Sequence, residues 1–474
     1  CSSDLDDPRP FGGPGSSRMA TPTYAPAVEQ RHIPGRGVGL VATRNIAAGE
    51  CVVRERAVVC GTSAAFADEA CARCLSFAAP DGGPLFTCAV CGLGKLCGGD
   101  LCAWTGAPHG KVACFTEGCA QGLPAADVER LRFLAHCQDL RFTKTPESFA
   151  RLAAIDGLCP VIANDGTGID EREHTAAGRL QPMLQQAVAR CLAGSQVAPP
   201  NDAARGQDSA EFAFNQFTTA TLLSKETKNA FGAMAPRDSV TGDRRVRGGA
   251  LYNLASRVNH DCFPNTVRFD NFDGTLNDGS QFFNDGFEAM GTTANTFGNA
   301  SSPDLQHFGN APDELRLYAL DKISAGTEIT MSYLPVTEPL ARRRRRLRNT
   351  FVFDCTCERC ALETQWAIAD GDRVGNCDEE FQLHSAGLAE DQIQNKLDDE
   401  DDARVANLTE HELNVRAERI PPEYAVWMLR NVCPLEECGG TLAPPNQRAT
   451  HMTCNACGHK RTDEAFFAAL QEGG

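Results

Sequence analysis

The sequence predicts an α+β protein: a β-rich core, a helical insert, and small modules that need metal to fold. Short β-branched or apolar runs bounded by turns recur at residues 31–60, 250–270 and 313–334. Apolar residues at helical spacing run through 124–240. The 23 cysteines of the 474-residue chain gather in close pairs. At roughly 150 residues per domain, a chain this long suggests about three units.

Composition narrows the function. Hydrophobic residues make up 42% and charged residues 23%, enough to bury a core. No run approaches the ~18–20 apolar residues of a membrane helix, so no membrane association is expected. The net charge is −17, from 45 basic and 62 acidic residues. A generic polyphosphate binder carries a basic excess, so nucleic acid is not the expected partner. An acidic protein suits a basic partner such as a lysine-rich peptide, and solubility alone accounts for the charge equally well.

Residues 1–30 carry acid, Gly and Pro where a secretory signal carries basic and then apolar residues. They read as a disordered N-terminus, with Met19 as a candidate start. Within 31–60, Val52, Val53, Val58 and Val59 mark strands, and Ala47–Glu50 marks the turn before them. Residues 71–114 are dense in Cys and poor in apolar periodicity, so metal must replace the missing core. In the helical stretch, Leu180, Met183, Leu184, Val188, Cys191 and Leu192 form one apolar face, expected to be core. Residues 271–312, rich in Asn, Gly, Asp, Ser and Phe, read as a disordered insertion or long loop. Residues 366–432 read as helical and polar, with the acidic run 398–402 as a solvated face.

Paired cysteines without a secretory signal read as zinc sites, not disulfides. The first cluster is Cys71/Cys74, Cys88/Cys91, Cys97/Cys102 and His109/Cys114, eight ligands that suit two structural ions. Trp104 lies between its last two pairs. The second is Cys355, Cys357 and Cys360, for which Cys262 is a distant fourth ligand; otherwise the site is incomplete. The third is Cys433 and Cys438 with Cys454 and Cys457, a ribbon-like pattern. Its Gly439, Gly440 and Gly458 favour tight knuckle turns. Zinc, at about four ions in all, is the metal expected. The remaining cysteines (Cys1, Cys51, Cys60, Cys119, Cys137, Cys159, Cys191 and Cys377) are expected to be small core or surface residues.

Three further segments carry chemistry. GRGVGL at 35–40 brings glycines that let backbone approach a ligand, but no helix pattern follows, so it is no dinucleotide fingerprint. SRVNHDCFPN at 256–265 places Asn259 beside His260 ahead of a Pro-Asn turn. In ISAGTEITMSYLP at 323–335, Ile329 and Met331 alternate with Thr330 and Ser332 as a strand, and Tyr333 closes it.

Taken together and in this order, these segments resemble a SET domain followed by its post-SET zinc site. The first Cys cluster, inserted after the first segment, resembles a MYND zinc finger. The combination is similar to the SET-and-MYND family of protein lysine methyltransferases, over about residues 31–365. The resemblance implies an S-adenosyl-L-methionine-dependent protein lysine N-methyltransferase, acting on histone or non-histone lysines, in nucleus or cytoplasm. A monomer is expected, and the MYND finger implies a proline-rich peptide partner.

The implied architecture runs in chain order. After the N-terminus 1–30 come the N-terminal SET part 31–66, the MYND finger 67–118 and a helical insert 119–240. The SET core 241–340, the post-SET site 341–365, a helical acidic region 366–432 and a zinc ribbon 433–474 follow.

The resemblance also places residues. Arg36, Gly37, Val38 and Gly39 would line the cofactor pocket. Asn215, in FNQF, matches an Asn-x-Phe motif that contacts the cofactor's amino-acid end. Ser256, Val258, Asn259 and His260 match cofactor-contacting positions. Tyr333 matches the catalytic tyrosine, and Phe351 and Phe353 match aromatics beside cofactor and lysine channel. Cys262, Cys355, Cys357 and Cys360 match the post-SET ligands. In the finger the pairs interleave, so Cys71, Cys74, Cys97 and Cys102 would hold one ion and Cys88, Cys91, His109 and Cys114 the other.

Asp261 stands where the family has Ser, and Asn253 where many members have Pro. A carboxylate at 261 would either help hold a sulfonium charge or misalign Asn259. The latter gives the alternative function, an inactive zinc-finger adaptor that binds partner peptides. The run Arg342–Arg346 reads as a solvated basic helix, or as support for a nucleic-acid reading.

Overall fold

The computed structural model describes residues 27–77, 85–88, 90–97, 110–120, 122–160, 168–193, 213–235, 245–270, 313–372, 374, 415–435 and 438–472, with isolated positions between 392 and 409. The expected insertion 271–312 and the acidic run at 398–402 lie largely or wholly outside the described residues. No described helix is long and apolar enough to cross a membrane.

The N-terminal β-branched runs become strands. β1 (Val28–Ile33) and β2 (Gly37–Ala42) form an antiparallel hairpin. Its turn needs positive φ, which Gly35 (74°) and Gly37 (78°) supply without steric cost. The expectation of disorder through residue 30 is corrected here: residues 28–30 pair with 40–42, and Val28 is buried. β3 (Cys51–Arg56) and β4 (Val59–Thr62) follow. Two-residue strands β5 (Phe86–Thr87) and β6 (Lys95–Leu96) pair inside the first Cys cluster.

The insert is helical, as its periodicity predicts: a short α1 (Ala113–Thr116), then α2 (Ala125–Thr143), α3 (Pro146–Asp156), α4 (Glu171–Ala193) and α5 (Gln216–Asn229). Thr145 and Ser148 cap α3 reciprocally, each side chain taking a backbone N–H of the other. On α4, Leu180, Leu184 and Val188 are fully buried with Leu131, Leu134 and Leu223. Leu192 is the exception at 48% exposure, since twelve residues of helical rotation carry it about 120° from Leu180. The helical region also ends sooner than expected, because Phe231–Met234 is strand β7, paired with β8 (Val246–Leu251).

The remaining strands are β9 (Asn259–His260), β10 (Thr266–Asp270), β11 (Glu314–Ala319) and β12 (Glu328–Met331). They complete small sheets ordered β1-β2-β12-β9, β10-β11-β3 and β4-β8-β7. Leu40, Val53, Tyr252, Leu317 and Ile329 fill the core between them.

After Tyr333 come α6 (Leu340–Phe351) and α7 (Glu358–Asp370). The arginine run lies on α6, and the expectation of a solvated basic face fails there. Arg343 and Arg345 are buried, Arg343 pairs with Glu363, and Arg346 pairs with Glu338. Next, α8 (Pro422–Asn431) lays Tyr424 and Trp427 against Phe263, with ring centroids 5.1 and 4.8 Å away.

The last cysteines frame a three-stranded sheet of β13 (Leu442–Ala443), β14 (His451–Cys454) and β15 (Lys460–Thr462), followed by α9 (Asp463–Glu472). This unit is docked on the core. Ala443 is buried with Val267, Phe269, Tyr318 and Leu320, and Asn455 donates to the Arg268 carbonyl at 3.1 Å.

Candidate active site and metal centres

β12 is the strand around which the site is assembled. On one side it pairs antiparallel with β2, Ile329 opposite Leu40. On the other it runs parallel to β9, with Thr330 opposite Asn259 and Met331 opposite His260. The glycine segment, the Asn-His segment and the strand leading to Tyr333 are therefore neighbours, although up to about 300 residues separate them in sequence. Gly39 shows how close they lie. A Cβ there would sit 2.8 Å from Asn259 Nδ2 and 3.0 Å from a Glu328 carboxylate oxygen, so a larger residue would push the segments apart. At Gly37 a Cβ would meet nothing within 4 Å, which leaves open space beside the same strand.

The Tyr333 hydroxyl donates to the Val258 carbonyl at 2.7 Å. Burial raises this phenol further above its ordinary range, so it stays neutral. Its backbone N–H donates to His260 Nδ1 at 3.0 Å. His260 must therefore carry its proton on Nε2, which lies 3.2 Å from Cys262 Sγ. Burial pulls the His260 pKa down to about 3, so the ring is neutral. Arg36 donates to Glu328 and to the His260 carbonyl, tying the glycine turn to β9.

Phe351 and Phe353 flank Tyr333, with centroids 4.8 and 6.4 Å from its ring. Val352 between them adopts a left-handed conformation, φ 58°. This is strained for a β-branched residue by of order 1–3 kcal/mol. The kink ends α6 and turns both phenylalanines into the same wall.

Asp261 makes a local turn. Its carboxylate accepts from the Phe263 N–H at 2.8 Å, a bond that a Ser hydroxyl at this position would also make. Asn259 keeps its own bond to Glu328 at 2.7 Å, so it is not displaced.

The cysteines converge as sets. Cys262, Cys355, Cys357 and Cys360 bring their sulfurs within 4.8 Å of one another, as do Cys433, Cys438, Cys454 and Cys457. In the first cluster Cys71, Cys74 and Cys97 group together, and Cys88, Cys91 and Cys114 form a separate group, an interleaved arrangement. Cys102 and His109 lie outside the described residues.

Sulfurs tetrahedral about zinc at ~2.3 Å lie about 3.8 Å apart. The observed 3.5 Å for Cys262–Cys360, 3.6 Å for Cys433–Cys457 and 3.8 Å for Cys88–Cys114 fit that spacing, and a disulfide at about 2.0 Å does not. Zinc thus fits these donor sets. Around the Cys262 set, an Arg343 guanidinium nitrogen stands 3.9 Å from Cys360 Sγ, where it offsets thiolate charge. Gly440 is required in the last set, since a Cβ there would overlap Cys454 Sγ. Among the other cysteines, Cys60, Cys119 and Cys137 are buried, Cys51 and Cys191 half-buried and Cys159 exposed, while Cys1 and Cys377 lie outside the described residues.

The SET domain family model matches residues 37–334, more than half of the chain. The chain belongs to the SET domain family. Its relatives agree. It is 26% identical over 445 residues to the histone-lysine N-methyltransferase ASHR2 of Arabidopsis thaliana, covering 91% of this chain and 94% of that one. It is 35% identical over 120 residues to human histone-lysine N-methyltransferase SMYD1, covering 25% of this chain and 19% of that one. A SET and MYND domain-containing protein of Dictyostelium discoideum is 25% identical over 150 residues, 31% of this chain and 21% of that one.

One expected residue of this SET protein is not brought to the site. Asn215 caps the N-terminus of α5, its side chain accepting from Thr218 N at 2.8 Å. It lines a cavity of about 530 Å³ with Arg141, Leu152, Ile155 and Phe214, away from the glycines and Tyr333. A second Asn-x-Phe, Asn229-Ala230-Phe231, lies at the other end of α5 and enters β7. Fourteen helical residues, about 21 Å, separate the two. The Asn229 carbonyl accepts from Ser256 Oγ at 3.1 Å, and Phe231 packs edge-on to Tyr252 at 5.4 Å. Of the two copies, the one at Asn229 is therefore the one that meets Ser256. The signal was in the sequence, since this copy precedes the strand that leads to the Asn-His segment. Glu328 was also missed, because a Glu in a strand-entry turn has no signature of its own.

Proposed function

We propose that this protein transfers a methyl group from S-adenosylmethionine to a lysine side chain of a protein, histone or other. The observation that carries this reading is the Tyr333 hydroxyl, held on the Val258 carbonyl at 2.7 Å between the Asn259–Gly39 contact and the wall of Phe351 and Phe353. Open space at Gly37, and an Asn259 Oδ1 with no partner among the described residues, fit a ligand that is part backbone-bound and part cationic. Arg36, Gly37, Val38, Gly39, Asn229, Ser256, Asn259 and the backbone of His260 would hold it. When bound, S-adenosylmethionine supplies a methyl group on a positively charged sulfur.

The protein's part is to deliver a neutral amine in line with that methyl group. Free lysine has a pKa of ~10.4, so its neutral fraction at pH 7 is small. A channel walled by Phe351 and Phe353 desolvates the ammonium and disfavours it. The Tyr333 phenol has its proton engaged by Val258, so its oxygen lone pairs remain to accept from the amine N–H. Donating that proton makes the oxygen a better acceptor. Held by those residues, S-adenosylmethionine would supply the methyl carbon for a direct displacement in which a C–N bond replaces the C–S bond and the bonding pair stays on sulfur, and the methylated ammonium would release its proton to water. No acid–base dyad is needed, because positioning supplies up to about 7–11 kcal/mol. Zinc at the Cys262 set would fix the wall and take no part in the chemistry.

The test is transfer of labelled methyl to a lysine-peptide array, with mass spectrometry of the product. Tyr333→Phe is expected to lose about 10²–10³-fold in turnover while melting near the parent temperature. Near-normal turnover in that variant would remove Tyr333 from the mechanism. The adaptor alternative rested on Asp261, whose turn hydrogen bond gives it no support.

A further inference from the structure

The carboxylate of Glu328, the first residue of β12, joins all three segments of the site. One oxygen accepts from Arg36 Nη1 at 2.7 Å, and the other accepts from Asn259 Nδ2 at 2.7 Å. Its side chain is 18% exposed. The same oxygen that meets Asn259 lies 3.0 Å from where a Gly39 Cβ would be, so a side chain at residue 39 would crowd this contact. Arg36 in turn donates its second nitrogen to the His260 carbonyl.

This arrangement decides which way the Asn259 amide faces. An ionised carboxylate can only accept, so Asn259 must present its NH₂ to Glu328 and not its carbonyl oxygen. The oxygen is then fixed on the opposite side, and among the described residues nothing donates to it. An amide oxygen held outward in this way is an acceptor for a cationic N–H group. With the amide reversed, the same place would present two donors and repel a cation.

We infer that Glu328 is a positioning residue for the cofactor: it orients the Asn259 amide so that Oδ1 receives the ammonium group at the amino-acid end of S-adenosylmethionine. The inference rests on the methyltransferase reading and adds to it a residue that acts through Asn259 without touching the reacting atoms. Arg36 supports the same geometry by holding the second carboxylate oxygen, which keeps Glu328 from turning away from Asn259.

The experiment compares ligands by titration calorimetry on the full chain. S-adenosylmethionine carries the ammonium and a sulfonium, S-adenosylhomocysteine carries the ammonium on a neutral thioether and should lose affinity alongside it, and methylthioadenosine has the same nucleoside and neutral thioether without the amino-acid end. Glu328→Gln keeps the side chain's size but offers an amide NH₂, which lets Asn259 reverse. S-adenosylmethionine affinity is expected to fall about tenfold in this variant, with methylthioadenosine affinity unchanged. The KM for peptide should stay at the parent value while the KM for S-adenosylmethionine rises. Glu328→Gln combined with Asn259→Ala should bind no more weakly than Asn259→Ala alone, since the first change acts through the second residue. Equal losses for S-adenosylmethionine and methylthioadenosine, additive losses in the double variant, or an unchanged S-adenosylmethionine affinity would each overturn the inference. Failure of the unaltered protein to bind S-adenosylmethionine overturns the methyltransferase reading itself, and this inference with it.

Discussion

His260 joins a metal centre to the tyrosine through one ring. Nδ1 accepts the Tyr333 backbone N–H, and Nε2–H points at Cys262 Sγ. The ring lies only 5.2 Å from that of Tyr333. Zinc at the Cys262 set would therefore bear on where Tyr333 sits, without entering the reaction. His260→Phe keeps an aromatic of similar shape and removes both bonds. It is expected to lower stability by about 1–3 kcal/mol and to speed zinc release to a chromogenic chelator. Parent-like melting and zinc release would show that the ring only fills space. The sign of its pH effect follows from the lowered pKa. Below about 6.5 the unfolded chain protonates this histidine, whereas the folded chain resists until about 3. Stability is lost progressively as pH falls through that window.

The same residues mark what could be read from sequence. Asn259, Tyr333 and the cysteine sets were legible because spacing and order single them out. Glu328 and the His260 relay were not, because each depends on which atoms face each other across strands. Asn215 lies at the opposite end of the helix from Ser256, because two Asn-x-Phe copies flank that helix and only the fold decides which end meets Ser256.

Among the elements, the ribbon's role changes most between sequence and structure. Its cysteine spacing points to a metal site, but nothing in the spacing says where it packs. In the fold, the turn Ala47–Glu50, legible from its Ala-Gly sequence, is its docking point. Gly49 has φ 70°, and a Cβ there would overlap the Asn446 carbonyl. Gly49→Ala therefore combines backbone strain with a clash against the ribbon, and should cost about 1–3 kcal/mol. Calorimetric unfolding should show an earlier transition, with faster proteolysis around residue 446. An unchanged transition would mean that the ribbon does not bear on this turn. The strands β3 and β4 were legible from their Val pairs, whereas β1 begins inside the stretch expected to be disordered and β9 has only two residues inside a turn-rich segment. Its strand character comes from pairing with β12 and has no local signal.

Across the whole molecule, the acidic composition places carboxylates where the fold desolvates them. Glu55 accepts from the N–H groups of Leu254 and Ala255, and burial pushes its pKa up to about 7. Asp139, which accepts from Val112 and Ala113, is pushed to about 7 in the same way. Glu226 is pushed to about 8 by burial, against the attraction of Arg130 and with repulsion from Glu173 and Glu129. In the unfolded chain such groups titrate near their ordinary ~3.9–4.3. Between pH 6.5 and 8 the folded protein therefore takes up protons that the unfolded chain does not. Folding stability must rise as the pH is lowered from 8 to 6.5. The His260 contribution runs the other way but begins only below about 6.5. Melting temperatures measured across pH 6.5–8 should fall toward the alkaline end, and Glu226→Gln, neutral at every pH, should flatten that slope. Each raised carboxyl sits at a joint: Glu55 under the turn that leads to Asn259, Asp139 under the helix that carries Cys114, and Glu226 beside Arg130 within the helical insert. A melting temperature that climbs steadily toward pH 8 would mean that these carboxylates stay ionised, and that the charges at these joints are better solvated than their burial implies.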